Sequence, residues 1–199
     1  MLDTLNRSWL EWMVASPDLS GGAFLLPLVL AEWAIFTGPA ALILLWVLGN
    51  RQDRRAAVGA CLSALLALAL AAGISSVYFH PRPFMDGLAR NYLHHAADGS
   101  FPSDHAIVLF TLAWSLLLTP PGWLKRVWLA LLLVACAVGW SRIYLGAHYP
   151  LDIVGAAVLG LVTAYGVNRS SLNRWRDLGT DLAEKLYSLP LDLISKRKS

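Results

Sequence analysis

This sequence has few charged residues and very little cysteine. Only 15% of its 199 residues are charged and 57% are hydrophobic, whereas a typical soluble protein has about 25% charged residues. This balance excludes a disordered chain and argues against a soluble globular protein. The two cysteines, Cys61 and Cys136, lie inside apolar stretches. We therefore predict that both are buried hydrophobic residues and not members of a disulfide or a metal site.

The sequence also lacks the features that divide or target a chain. No internal repeat or glycine-rich linker interrupts it, and no basic segment followed by an apolar core marks its start, so no secretory signal is expected. A length of 199 residues suits one domain. We predict a single domain over residues 1–199, with a core at 22–168 and a basic amphipathic tail at 169–199.

Apolar residues form blocks long enough to cross a bilayer, which takes about 20 helical residues. We predict five membrane spans, at residues 22–49, 56–79, 102–119, 127–143 and 150–167. The end segments 1–20 and 169–199 mix tryptophan and leucine with charge, which is typical of helices lying along a membrane surface. The expected fold class is all-α: a polytopic membrane helix bundle of about five transmembrane helices, with amphipathic interfacial helices at both ends.

Basic residues are concentrated on one side of this expected topology. Twelve of the 16 lysines and arginines lie between spans one and two, between spans three and four, or in the tail. Cytoplasmic segments carry an excess of lysine and arginine, so we place these segments and the C-terminus in the cytoplasm. Because topology then explains the net charge of +3, no nucleic-acid partner is expected.

Polar residues cluster where the outer loops meet the spans. The clusters are Pro81-Arg82-Pro83, Pro102-Ser103-Asp104-His105, and Ser141-Arg142 followed by His148 and Asp152. Arg82 and Arg142 offer forked, permanently charged donors that suit phosphate oxygens. If Pro102 begins span three, Ser103 stands at a helix N-terminus, which favours anions. The outer face is therefore predicted to bind an anionic group.

Two histidines supply further groups that phosphoryl transfer needs. His105 lies about one turn into span three, close enough to protonate a leaving group. Pro150 indicates the first turn of span five, so His148 would precede that helix and Asp152 would lie in its first turn. Asp152 can then accept from one imidazole nitrogen and leave the other free as a nucleophile. The set indicates phosphoryl transfer that depends mainly on positioning and charge neutralisation.

The pattern resembles the type 2 phosphatidic acid phosphatase superfamily. The motifs of that family are Lys-x6-Arg-Pro, Pro-Ser-Gly-His and Ser-Arg-x5-His-x3-Asp. The third motif is matched in full between Ser141 and Asp152. The stretch from Asn91 to His105 looks like the bacitracin-resistance branch of the family, the undecaprenyl-diphosphate phosphatases.

The resemblance implies a reaction as well as a fold. His148, oriented by Asp152, would attack the terminal phosphorus and form a phosphohistidine, and His105 would protonate the departing polyprenyl phosphate. The phosphoryl oxygens would be held by Arg82, Ser103 and Arg142. The scheme requires no metal or other cofactor. The partners would be a polyprenyl diphosphate and the bilayer of a bacterial inner membrane, with the site facing the periplasm; no oligomeric state is implied.

Two positions depart from the family pattern. Ser75 stands seven residues before Arg82, where the family often has lysine, so one phosphate-binding cation is missing. Asp104 replaces the glycine of the second motif. This carboxylate is tolerable if it points into the outer loop or pairs with Arg90, and repulsive if it faces the substrate.

Several residues keep two interpretations. Ser141 either orients Arg142 or packs inside the bundle. Glu32 lies about 15 Å into span one, where it either has a function or forms a structural pair. His94 and His95 either contact the diphosphate or belong to a solvated loop. The whole polar set also has a plain alternative: a helix-end network with snorkelling arginines that only anchors the spans.

Other functions fit parts of the pattern. The nearest alternative is a phosphatase of phosphatidylglycerophosphate or phosphatidic acid. A transporter or flippase of lipid phosphates would use the same arginines for binding and would need no nucleophile. A histidine-ligated haem or metal protein is a third alternative, although the arginines beside His105 and His148 would oppose a bound cation.

Overall fold

The structure, a computed structural model, describes residues 2–18, 21–119, 124–169 and 173–196. The described residues form eight α-helices and one 3₁₀ segment, with no strand among them. The helices are α1 (Leu2–Met13), α2 (Gly22–Glu32), α3 (Thr37–Leu48), α4 (Arg51–Val77), α5 (Asp104–Leu117), α6 (Leu124–Tyr144), α7 (Pro150–Val167) and α8 (Asn173–Lys196). The expected all-α class is confirmed.

Four segments of the described chain are long and apolar enough to cross a membrane: Gly22–Leu48, Arg51–Val77, Arg126–Tyr144 and Pro150–Val167. Helix α5 is apolar but shorter, with 14 residues. Together they correspond to the five predicted spans. The third span begins two residues later than predicted, because Ser103 has an extended backbone and precedes the helix.

The first span is interrupted in its middle. Helix α2 contains Pro27 without breaking, then ends at Glu32 and gives way to a 3₁₀ turn over Ala34–Phe36. Helix α3 resumes two residues before Pro39. Proline fits the first turn of a helix but clashes with the carbonyl four residues before it. This restriction explains why a new helix starts there.

Helix α5 lies at the centre of the bundle, between α4, α6 and α7. A stripe of small residues on α4 is buried against the bundle: Ala56, Ala60, Ala64, Ala67 and Ala71. Small residues allow membrane helices to approach closely. Gly160 allows the same close approach between α7 and α5. A Cβ atom added at this glycine would lie 2.7 Å from the hydroxyl oxygen of Thr111. Close packing therefore fixes how the ends of α5 and α7 lie relative to each other.

The cysteine prediction is wrong in one respect. Cys61 and Cys136 are free, as expected, but both are exposed and not buried. A residue in a membrane span gains little by moving from lipid to the protein interior, because lipid tails are as apolar as leucine. Apolar sequence context therefore does not distinguish a lipid-facing cysteine from a core cysteine.

Both ends of the chain form helices that pack on the bundle. Helix α1 buries Asn6 and Leu10 and leaves Trp12 92% exposed. Helix α8 contacts the start of α4 through the ion pairs Arg51–Asp181, Arg54–Glu184 and Arg55–Asp177. Its apolar side chains Trp175, Leu178 and Leu182 face outward. Parts of the predicted terminal segments (1, 19–20, 170–172 and 197–199) lie outside the described residues, and contact with a membrane surface stays a prediction.

Candidate active site

The three predicted polar clusters lie at one end of the bundle. Helices α4 and α6 end there and α5 and α7 begin there, so their connecting segments meet. The segment between α4 and α5 covers this end and contributes to a cavity of about 800 Å³. Six of the residues that line it are Arg82, His95, Asp104, His105, Arg142 and His148. Residues far apart in sequence therefore share one cavity.

His148 lies in the turn between α6 and α7 and is 2% exposed. The turn requires Gly146, whose φ is +75° and whose missing Cβ leaves room for Ala89. The Nδ1 atom of His148 lies 2.9 Å from the carbonyl oxygen of Ser100, and Nε2 lies 3.2 Å from Nη1 of Arg82. A carbonyl only accepts and a guanidinium only donates, so Nδ1 carries the proton and Nε2 presents its lone pair.

Burial also affects the protonation state of His148. It lowers the pKa of this imidazole to about 4, and the positive charges of Arg142 and Arg82 act in the same direction. The neighbouring carboxylate of Asp152 opposes them without cancelling them. The imidazole is therefore neutral at physiological pH, which is the form that a nucleophile needs.

Asp152 lies in the first turn of α7, as predicted, and is fully buried. Its Oδ2 atom accepts from the backbone N–H of Tyr149 at 2.8 Å and lies 3.5 Å from Nδ1 of His148. The closest acceptor for His148 is thus the carbonyl of Ser100, with Asp152 as an electrostatic neighbour. The other carboxylate oxygen, Oδ1, has no hydrogen-bond partner among the described atoms.

Arg82 is held rigidly beside His148. Its Nε donates to Asp98 at 2.8 Å, Nη1 to the carbonyl of Ala147 at 3.0 Å, and Nη2 to the carbonyl of Gly99 at 3.1 Å. The side chain is 5% exposed. Burial raises the pKa of Asp98, but the hydrogen bond and charge of Arg82 outweigh this and lower it overall, so Asp98 stays ionised and holds the guanidinium in place.

The buried polar groups near this cavity that lack a described partner include donors of Arg142 and Ser103. Arg142, in the last turn of α6, donates from Nη1 to the carbonyl of Ala31 at 3.2 Å, while its Nε has no partner among the described atoms. The hydroxyl of Ser103, fully buried at the start of α5, also lacks one there. An unpaired buried donor costs about 1–3 kcal/mol. Oxygens of a bound anion would supply the missing acceptors.

His105 lies in the first turn of α5, half-buried, and lines the cavity together with His148. The two imidazoles therefore reach the same space, His105 from α5 and His148 from the turn between α6 and α7, an arrangement that a nucleophile and a leaving-group acid would require. Among the described residues, no three His, Cys, Asp or Glu side chains are grouped so that they could hold a metal ion.

Ser141 and Glu32, which each had two interpretations, are not among the residues that line the cavity. The hydroxyl of Ser141 donates to the carbonyl of Val138 in its own helix at 2.8 Å, which favours packing over a role in orienting Arg142. Glu32 is exposed at the end of α2, and its charge acts on Arg142 without a direct ion pair. It follows Ala31, whose carbonyl binds Arg142.

Both departures from the family pattern lie at the cavity. Ser75 and Ser76 line the cavity, and the Ser75 hydroxyl donates to the carbonyl of Phe101 at 2.9 Å. Asp104 also lines the cavity, whereas Arg90 donates to the carbonyl of Pro17 and does not pair with it. The carboxylate therefore faces the site, which has one cation fewer and one carboxylate more than the family pattern.

Sequence reasoning left His95 and Asp98 out of the site. His95 lines the cavity, with its ring centroid 6.4 Å from that of His148 and its Nδ1 3.8 Å from Asp98. Burial lowers its pKa, and Arg82 adds to the effect. His94, by contrast, is exposed, in agreement with the solvated-loop interpretation. The spacing of His95 and Asp98 just before the second motif was the available signal.

Comparisons with known proteins show which proteins this chain resembles. A family model described as the PAP2 superfamily matches residues 56–176. The chain is 34% identical to a protein named putative undecaprenyl-diphosphatase YbjG from Escherichia coli K12, over 94% of this chain and 91% of that protein. It is 29% identical to undecaprenyl-diphosphatase BcrC of Bacillus subtilis, over 84% of each. The crystal structure of Aquifex aeolicus LpxE has a similar fold, with a TM-score of 0.65 and 23% identity, over 82% of this chain and 94% of that one.

Proposed function

This chain belongs to the PAP2 superfamily, and on that premise we propose that it hydrolyses undecaprenyl diphosphate to undecaprenyl phosphate and inorganic phosphate. One observation carries the proposal: the Nε2 lone pair of His148 lies 3.2 Å from a guanidinium in a cavity that also holds His105. The names of the relatives from Escherichia coli and Bacillus subtilis support the substrate.

In the first step, Nε2 of His148 attacks the terminal phosphorus. A nitrogen–phosphorus bond forms while the bond to the bridging oxygen breaks, and His105 gives its proton to that oxygen. The phosphoryl group is then held as a phosphohistidine. Its oxygens accept from Arg82 and from the unsatisfied donors of Ser103 and Arg142, which stabilise the developing charge.

In the second step, water replaces the histidine. His105, now neutral, accepts a proton from the attacking water as the nitrogen–phosphorus bond breaks. Inorganic phosphate leaves and both imidazoles return to their starting states. The balance requires only water in addition to the lipid.

The cavity wall supports a lipid substrate. Leu68 and Ala72 of α4 line the same cavity as the charged residues, so apolar and polar surfaces meet inside it. A diphosphate head group would bind among the arginines, while its polyprenyl chain would follow the apolar side of α4 into the bilayer. Removal of the terminal phosphate would regenerate the carrier lipid used in cell-wall synthesis.

We place the site on the periplasmic side of a bacterial inner membrane, with the C-terminus in the cytoplasm. Helix α4 supports this orientation, because Arg51, Arg54 and Arg55 lie at its start and the cavity lies at its other end. Arginines concentrate at the cytoplasmic ends of membrane helices.

The test is phosphate release from undecaprenyl diphosphate in detergent with EDTA present. The wild type should release phosphate, and His148→Ala should abolish release. The matched control is His94→Ala, a change at an exposed loop histidine, which should leave the rate unchanged. Release that survives in His148→Ala would contradict the assigned nucleophile. Binding without hydrolysis by folded wild type would favour the lipid-phosphate transporter.

Substrate competition separates the lipid phosphatases. Phosphatidylglycerophosphate and phosphatidic acid should each inhibit weakly against undecaprenyl diphosphate if the diphosphate is the preferred head group. A higher kcat/KM for either competing lipid would contradict the proposed substrate while leaving the reaction type in place.

A further inference from the structure

His80 is a histidine outside the three motif clusters, and it lies between α4 and Arg82. Its Nδ1 atom is 2.8 Å from the hydroxyl oxygen of Ser100, and its carbonyl accepts from the backbone N–H of Ser100 at 2.8 Å. The same Nδ1 lies 3.6 Å from Oδ1 of Asp152. His80 thus touches two residues that also neighbour His148.

The neighbours of His80 determine which nitrogen carries its proton. The Ser100 hydroxyl donates to the carbonyl of Pro81 at 3.3 Å, so its oxygen is free to accept from His80. Asp152, when ionised, only accepts. Both neighbours therefore favour a proton on Nδ1 of His80, since a lone pair there would face the carboxylate.

Ser100 connects the two imidazoles. It is fully buried, its hydroxyl meets His80, and its carbonyl accepts from Nδ1 of His148 at 2.9 Å. Asp152 connects them a second time, with Oδ1 3.6 Å from His80 and Oδ2 3.5 Å from His148. Any displacement of Ser100 or Asp152 would change what Nδ1 of His148 can donate to.

We propose that His80 is a positioning residue that, through Ser100 and Asp152, holds His148 in the tautomer with its lone pair on Nε2. This inference rests on the proposed role of His148 as nucleophile. His80 does not line the cavity that holds His148. It lines a second cavity of about 530 Å³, together with Asp152. Its ring packs edge-on against Tyr149, with centroids 5.0 Å apart.

Two substitutions at His80 separate hydrogen bonding from bulk. The side-chain amide of asparagine places its N–H near the position of Nδ1, whereas the longer glutamine places it near Nε2. His80→Asn should therefore keep the bond to Ser100 and retain kcat within about threefold. His80→Gln should lower kcat by roughly 10- to 100-fold, the range typical when a supporting hydrogen-bond partner is removed.

The test measures the effects of both substitutions on kcat and on KM separately. Because His80 does not line the substrate cavity, KM should stay within about twofold in both variants. Equal losses of kcat in His80→Asn and His80→Gln would overturn the inference, since they would show that any change of packing is harmful. A rise in KM at unchanged kcat would overturn it too.

A spectroscopic measurement does not depend on turnover. The chain has five histidines, and ¹⁵N labelling of histidine with a His148→Ala reference spectrum assigns the His148 nitrogens. The wild type and His80→Asn should show a protonated Nδ1 and an unprotonated Nε2, and His80→Gln should show a mixture. An unchanged spectrum in folded His80→Gln would overturn the inference even if the proposed hydrolysis holds. Absence of hydrolysis by the wild type would count against the function and not against this measurement.

Discussion

Arg82 contacts His148 through Nη1 and Nε2, 3.2 Å apart, and the same Nη1 donates to the carbonyl of Ala147 at 3.0 Å. One guanidinium nitrogen therefore engages both the side chain of the proposed nucleophile and the backbone just before it. Because the guanidinium stays charged, the imidazole beside it resists protonation. A phosphoryl oxygen entering the cavity would compete for this donor and release the lone pair of Nε2 for attack.

Replacement of Arg82 by lysine should lower kcat at least 100-fold. Lysine keeps the charge but cannot reach Asp98, Ala147, Gly99 and His148 together, because it lacks the planar fork. Phosphate release from undecaprenyl diphosphate measures the effect. Arg90→Lys is the control, since Arg90 is exposed and contacts the carbonyl of Pro17. Retention of most of the activity in Arg82→Lys would show that charge alone suffices.

The acid limb of the kcat/KM profile should lie far below the range of an ordinary histidine. Burial lowers the pKa of His148 to about 4, so the nucleophilic form persists as the pH falls past 6.5. On the acid side of the profile, activity should therefore decline tenfold per pH unit only below about pH 4, whereas the alkaline side depends on the proton of His105. Profiles from pH 3 to 8 for wild type and for His95→Gln, which removes one of the other histidines that line the cavity, test this. An apparent pKa of 6 to 7 in both would contradict it.

Asp104→Asn should lower KM roughly three- to tenfold. The carboxylate lines the proposed phosphate cavity, and no described cation is paired to it. At an effective dielectric constant of about 20, its repulsion of an anion several ångströms away amounts to about 1 kcal/mol or more. The effect should shrink at high salt. Asp18→Asn, at an exposed residue, controls for net charge. A rise in KM would show that Asp104 assists binding.

Asn6→Ala should lower the stability of the protein by about 1–2 kcal/mol. The buried side chain of Asn6 accepts from the backbone N–H of Leu151 at 3.0 Å, so α1 caps the first turn of α7. That turn carries Asp152, and kcat should fall as well. Thermal unfolding in detergent and phosphate release measure both effects, with the exposed Ser8→Ala as control. An unchanged melting temperature would exclude the cap.

Much of the candidate site was accessible from sequence because its side chains fall in short motifs with fixed spacing. Arg82, His105 and His148 all line one cavity, as their expected placement at span ends requires. Ser141 and Glu32 were less tractable. Each lies in a sequence context that fits two roles. The hydrogen bond of Ser141 to a carbonyl of its own helix favours packing, whereas Glu32, exposed at the end of α2, keeps both interpretations.

The sequence by itself determined the helical membrane class and the approximate limits of its five spans, because hydropathy depends on composition along the chain and not on neighbours in space. Only the tertiary structure decided which groups surround His148. The acceptor for its Nδ1 is the carbonyl of Ser100. The hydroxyl of Ser100 in turn contacts His80, and the ring of His95 lies near that of His148. Every residue has a backbone carbonyl, so the sequence does not show which carbonyl accepts from His148. A loop has no hydrophobic periodicity from which its path could be predicted. Lipid and protein interior are equally apolar, so the outward direction of Cys61 and Cys136 also depended on packing.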